Sequence, residues 1–512
     1  MSRKRGEGDM VNKHTRTTRQ ATQTQPFQLA ASLEKIPADD WCRTWPAGRT
    51  IMVRSTSKRV KEAKDKMRLL PAVVRLSTGF WKDARNGTAA ERMQYVIRQL
   101  TLMTAWCRIS TLELPRCDMK GQDAERLARV LAQCPALVHL DLSGNLHFEA
   151  AGASRLAGVL GQCRQLVYLN LSGNNIGAGG AESLAGVLAQ CPVLAHLNLG
   201  RNKIGAGGAQ RLDRLAQCTA LVHLDLSGND IVDVGAEILA EVLGQCTALA
   251  HLNLNCNKIG VGGAESIAGA LAKCPALAHL DLRENKFGEA GAASLAGVLG
   301  QCSALAHLNL RHNDIGNAGA ASLAGVLGQC PALAHLDLLS NKIGPEGAKR
   351  LVGVLAQCTA LAHLNLNYNE IGPAGAEFLA GVLGHCAALA HLDLGGNQVG
   401  HDGAESLAGV LAQCTALTHL NLEDNGIGLV GVESFTGVLG QCAALHHLNL
   451  SGFNGIGGAR RRLAASWRGQ SSVLVLYEWD DGEDEEDVED EDEEEEEGEV
   501  EEEYDEDEDV EM

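Results

Sequence analysis

The chain has 512 residues, 45% of them hydrophobic, and a formal net charge of −20. That apolar share supports a real core, but no run of about 18 apolar residues exists to span a membrane, and Met1-Ser-Arg-Lys-Arg has no apolar segment behind its charges, so no leader is expected. Charge is spread unevenly, which excludes a single uniform domain: residues 1–110 hold 22 basic against 9 acidic side chains, 111–477 hold 22 against 28, and 478–512 hold none against 27.

Residues 1–57 are basic and rich in Ser, Thr and Gln, and are expected to form a mostly disordered arm. Residues 58–110 do not repeat. With Phe80-Trp81 and a helix expected at 89–106, they read as a helical N-terminal cap.

From 111 to 455 the chain repeats the unit LxHLDLxxNxIGxxGAxxLAGVLxQCxA. Its asparagine falls at Asn145, Asn174, Asn202, Asn229, Asn257, Asn285, Asn313, Asn341, Asn369, Asn397 and Asn425, at intervals of 29, 28 and 27 and then seven of 28. Chance similarity does not hold one period over so long a stretch. An earlier copy has Leu112, Leu114 and Cys117 at the equivalent places; a later one has Leu445, Leu448 and Leu450 but Phe453 where asparagine belongs. About thirteen strands are expected.

In each unit HLDL alternates: Leu140 and Leu142 point inward, His139 and Asp141 outward, as in a half-buried strand. An Ile-Gly turn follows, then a segment such as Ala181–Cys191, with apolar residues at i, i+3, i+7 and i+10, which is a helix with one buried stripe. One strand and one helix cannot close a core, so each unit must lean on its neighbours. Parallel strands stack about 4.8 Å apart and helices about 10 Å apart, so the array must curve with its strands inside. The expected fold is an α/β solenoid, a horseshoe with parallel strands on the concave face and helices on the convex face. The asparagine sits where the chain leaves the strand and strands backbone groups that an amide can satisfy.

Twelve of the sixteen cysteines, from Cys134 to Cys442, occupy one point of the repeat. At a helix spacing of about 10 Å they are too far apart to pair, since a disulfide needs Cα atoms within about 7 Å. Free thiols are expected, and with them an intracellular location, cytoplasm or nucleus. Residues 456–477, ending in Val473-Leu-Val-Leu-Tyr477, read as a C-terminal cap. The tail 478–512 is nearly all Asp and Glu; it is expected to stay disordered, and reads either as a solubilising tail or as one that attracts the basic N-terminus or a basic protein partner.

Two columns line the outward face of the strands. Eleven histidines and Tyr168 form one, from His139 to His447; Asp or Asn two residues later forms the other, alternating strictly from Asp225 to Asn421. A metal site needs ligands converging on one point, whereas a column spreads them along a line, so no metal is expected. Alternation instead avoids carboxylates stacked across strands. Searches for GxxxxGK[ST], HExxH, CxxC and GxSxG find nothing, so no catalytic residue, cofactor or nucleic-acid partner is expected.

Sequence that repeats everywhere cannot select a partner. The pair just before the asparagine does vary: it is Ser-Gly at 143–144, 172–173, 227–228 and 451–452 but Asn255-Cys256, Arg283-Glu284, Arg311-His312, Leu339-Ser340 and Asn367-Tyr368 in the middle. Arg and Tyr are common binding hot spots. Asn255, Arg283, Glu284, Arg311, His312, Leu339, Asn367 and Tyr368 are therefore the expected protein-binding residues.

The unit resembles the 28-residue leucine-rich repeat of the ribonuclease-inhibitor type, over residues 112–450. That resemblance implies a protein-binding scaffold acting through its concave face. Such an array followed by a long acidic tail is also similar to Ran GTPase-activating proteins, which implies a small GTPase as partner, its hydrolysis accelerated without a catalytic centre in this chain. No family catalytic residue aligns here.

Overall fold

The computed structural model describes residues 71–76, 88–105, 108–467 and 473–476. The basic arm expected at 1–57, the acidic tail expected at 478–512, Cys42 and Cys107 lie outside the described residues.

Each repeat contributes one strand and one helix, and the strands join in chain order into a single parallel sheet, β1 to β15. β1 (Pro71–Arg75) and β2 (Arg108–Glu113) flank the helix Ala89–Thr104. Twelve three-residue strands follow, from β3 (His139–Asp141) to β14 (His447–Asn449), and β15 (Val473–Val475) completes the sheet. Histidine pairs with histidine and leucine with leucine from strand to strand, as in His335↔His363 and Leu336↔Leu364. Any slip would turn the buried leucines out to water.

The count exceeds thirteen because both flanks add a strand. The segment expected to be a helical N-terminal cap is a strand–helix–strand unit whose β1 pairs with β2, and Val473–Val475 extends the sheet at the other end. Their sequences depart from the repeat while their backbones follow it.

The core lies between sheet and helices. In the helix Gly177–Leu188 and the turn after it, Ala181, Leu184, Leu188 and Cys191 are all buried, the stripe that the spacing predicts. No side chain caps this helix. Its first N–H, on Gly177, donates instead to the carbonyl of Asn202 one repeat on, and Gly177 holds φ at +63°, a conformation costly for other residues. Between Asn202 and Asn229, where one residue is missing, the helix tightens after Ala209 into a 3-10 helix, Gln210–Gln217, which spans the same rise with fewer residues.

The cysteine column is free and largely buried throughout the described residues. Its thiols donate to carbonyls of the same helix or the preceding repeat; the Cys274 Sγ lies 3.4 Å from the Leu243 oxygen. Burial pushes these thiols up, Cys246 to about 11 and Cys218 to about 12. None of the described helices is long and apolar enough to cross a membrane.

Candidate functional site

The asparagine column does what its position demands. Asn202 Nδ2 donates to the carbonyls of Leu171 (2.8 Å) and Leu199 (2.9 Å), while its Oδ1 accepts from the N–H of Asn174 (2.9 Å) and Ile176 (3.4 Å). One amide thus ties two repeats together. Asn145, Asn174, Asn229, Asn257, Asn285, Asn313, Asn341, Asn369, Asn397 and Asn425 are buried in the same way. In the last unit the interval stretches by one: Asn454, not Phe453, takes the role, accepting from Asn425 N–H (2.9 Å) and donating to Leu422 and Leu450. Phe453 bulges out, 63% exposed.

The strand row lines an open trough of about 400 Å³, bordered by His223 to His363 and by Asp281, Asp337 and Asp393. The imidazoles stack face to face. From His251 to His419 successive ring centroids lie 3.9 to 4.2 Å apart with planes within 16° of parallel. Burial, followed by neighbouring imidazoles, holds His251, His279, His307, His335 and His419 below the ordinary histidine value. The same causes push His363 down to about 4. Among the described residues no three His, Cys, Asp or Glu side chains converge as a metal site would require.

The Asp/Asn column has a second duty that charge reasoning missed. Except at Asp393, the Oδ1 accepts the N–H two residues on: that of Arg283 at Asp281 (3.1 Å), of Arg311 at Asn309 (3.1 Å) and of Leu339 at Asp337 (2.9 Å). Asp and Asn serve equally in this Asx turn, which leaves their alternation free to follow charge. The residue after that N–H takes a left-handed backbone. Glycine fills this place at Gly144, Gly173 and Gly228, but Cys256, Glu284, His312, Ser340 and Tyr368 hold φ between +51° and +54° there. The recurring Ser-Gly pair was the available signal.

The eight expected binding residues do not share one environment. Glu284 and Tyr368 are exposed, and Arg283, Arg311, His312, Leu339 and Asn367 are half-buried. Asn255 is only 6% exposed, its Nδ2 turned to Asp281 Oδ2 at 3.3 Å, and presents little surface. Asn367 Oδ1 is occupied by the Gly395 N–H at 2.6 Å. Tyr368 leans over the next rung, where a Cβ on Gly396 would stand 2.6 Å from its ring. Arg283 Nε lies 3.5 Å from Asp281 Oδ2, and the Nε atoms of Arg283 and Arg311 have no hydrogen-bond acceptor. Nearby, Asn313 Oδ1 is also without a partner, while the Lys286 N–H turns to the Ile259 carbonyl (2.7 Å).

The family model described as Leucine Rich repeat matches ten segments: 162–185, 190–212, 217–240, 245–268, 273–296, 301–324, 329–352, 357–380, 385–408 and 413–435. Among solved structures, the internalin InlF of Listeria monocytogenes is similar at 21% identity, covering 56% of this chain and 82% of its own, with a TM-score of 0.38. The functional domain of InlJ from Listeria monocytogenes, described as including a cysteine ladder, is similar at 18% identity, covering 69% of this chain and 64% of its own, with a TM-score of 0.41. No curated protein matches the chain. Ten tandem matches at the period read from the sequence, each laying down one strand of the sheet, place the chain among the leucine-rich-repeat proteins.

Proposed function

We propose that this chain is a protein-interaction scaffold whose partner docks on the concave face, centred on Arg283, Arg311, Leu339 and Tyr368. One observation carries the reading. The floor of the trough repeats His-Leu-Asp/Asn in every unit, whereas these four side chains differ from one unit to the next and keep surface for a partner, Tyr368 being 57% exposed and the Arg283 side chain 40%. Glu284 and His312, in left-handed turns beside the arginines, extend the patch, and Asn367, next to Tyr368, is tied to the following repeat through the Gly395 N–H. Asn255 contributes by orienting Asp281.

Charge reversal of Arg283 and Arg311 to Glu tests this. Capture of the partner from the native cell should fall at least tenfold, as expected when hot-spot residues are lost, with the circular dichroism spectrum unchanged. Undiminished capture by a folded variant would sink the patch. A small GTPase as the captured partner, with hydrolysis accelerated on addition of this chain, would specify the activator function that the architecture implies.

A further inference from the structure

We propose that the imidazole column from His251 to His419 takes up protons at every second ring, on the strands that carry aspartate, and so works as a graded acid sensor on the concave face. The stack itself sets the first constraint. Adjacent rings lie about 4 Å apart, so protonating both would put two like charges in contact across the sheet. Two rungs on, at about 8 Å, the repulsion is roughly half as large.

The neighbouring column decides which rings are chosen. Asp281, Asp337 and Asp393 stand two residues along the same strands as His279, His335 and His391, whereas Asn253, Asn309, Asn365 and Asn421 accompany His251, His307, His363 and His419. A carboxylate beside an imidazole favours its charged form and an amide does not. The two periodicities therefore coincide at two repeats.

Rings two repeats apart are coupled as well. After burial, the groups that hold His335 down are His391 and His279, its counterparts two repeats to either side. His363, on an asparagine strand, is opposed by burial and then by His335, His391, His307 and His419. Other charges facing the column modulate the order. Arg283 and Arg311, on the loops after the strands of His279 and His307, favour the charged form of Asp337, and His446 opposes protonation at His419. The helices lie across the leucine core from this face and bring no charge to it. With alternate rings charged, each aspartate of the floor gains a cation beside it, and the trough passes from anionic towards neutral while its stack persists.

The test is a pH titration of the full-length protein labelled with ¹³C at histidine Cε1, with rings assigned by single His→Gln variants. Rings on aspartate strands should titrate at higher pH than their asparagine-strand neighbours, with His363 lowest. Asp337→Asn keeps the Oδ1 that accepts the Leu339 N–H and should lower the His335 midpoint by about half a unit or more. Asn365→Asp should raise that of His363 and gives an independent reading if the first variant folds poorly. His147 and His401, which lie outside the column, report on the fold. A common midpoint for all column rings, or a His335 midpoint that Asp337→Asn leaves in place, would overturn the proposal.

Discussion

The Asn202 amide holds four backbone groups of two repeats, so Asn202→Ala removes more than a side chain. The N–H groups of Asn174 and Ile176 and the carbonyls of Leu171 and Leu199 all lose their partner in a site with no exposure. Since each buried backbone group left unsatisfied costs about 1–3 kcal/mol and the turn can relax, a net loss on the order of 3 kcal/mol is expected. Urea denaturation measures it, and a loss below about 1 kcal/mol would mean that water replaces the amide without penalty. This role was legible in the sequence because an invariant polar residue at a strand exit has few other reasons to recur. Less legible were the Asx turns, since Asp and Asn were read for charge, and the left-handed residue after them, which glycine marks in only some repeats. Asn454 escaped because a one-residue bulge at Phe453 leaves no trace in a period of 28.

Among the elements, the helices carry a feature that the repeat unit spells without explaining. LAGVL places a glycine in the last turn of most of these helices, Val232–Leu243 carrying Glu241 instead, and at Gly297, Gly325 and Gly381 an added Cβ would meet nothing within 4 Å. Glycine there gives up helix propensity with no packing in return, so Gly325→Ala should stabilise the protein by about 0.5–1 kcal/mol. In the same helix, Gly316–Leu327, Gly319 is its counterpart: a Cβ would stand 2.6 Å from Ile315 Cγ2 and 2.9 Å from Ala292 Cβ. Gly319→Ala should therefore destabilise through overpacking, by about 1–3 kcal/mol. Equal shifts for the two variants in thermal melts would show that helix packing does not decide the outcome. The apolar stripe of these helices was plain from spacing alone, as was the irregular turn near 211–218. What periodicity could not reveal was β1 and β15, because Pro71–Arg75 and Val473–Val475 gain their strand character from the neighbour that pairs with them rather than from the repeat.

Over the whole molecule, the two titratable columns limit stability from opposite sides of neutrality. The imidazoles of His251, His279, His307, His335, His363 and His419 titrate lower in the fold than in the unfolded chain, where the value is 6.5. Below that pH the unfolded chain binds more protons, so stability is full above about 6.5 and falls as the pH drops towards 4. Thiols such as Cys163, Cys246 and Cys414 are shifted the other way, from 9.0 to about 11. There the folded chain keeps protons that the unfolded chain gives up, so stability is full below about 9 and declines as the pH rises through 11. Asp337 and Asp393, pushed up by burial, act against the histidines nearer pH 4, so the acid limb is best read above pH 5. The urea midpoint should thus hold a plateau between about pH 7 and 8.5 and fall on both sides. Replacing one group from each column separates the limbs: His363→Gln should make the acid limb shallower and leave the alkaline one alone, and Cys246→Ala should do the reverse. A midpoint that stays level from pH 7.5 to 5.5 would show that the imidazole stack is open to protons at no cost to the fold, and a level alkaline side would show the same of the thiols.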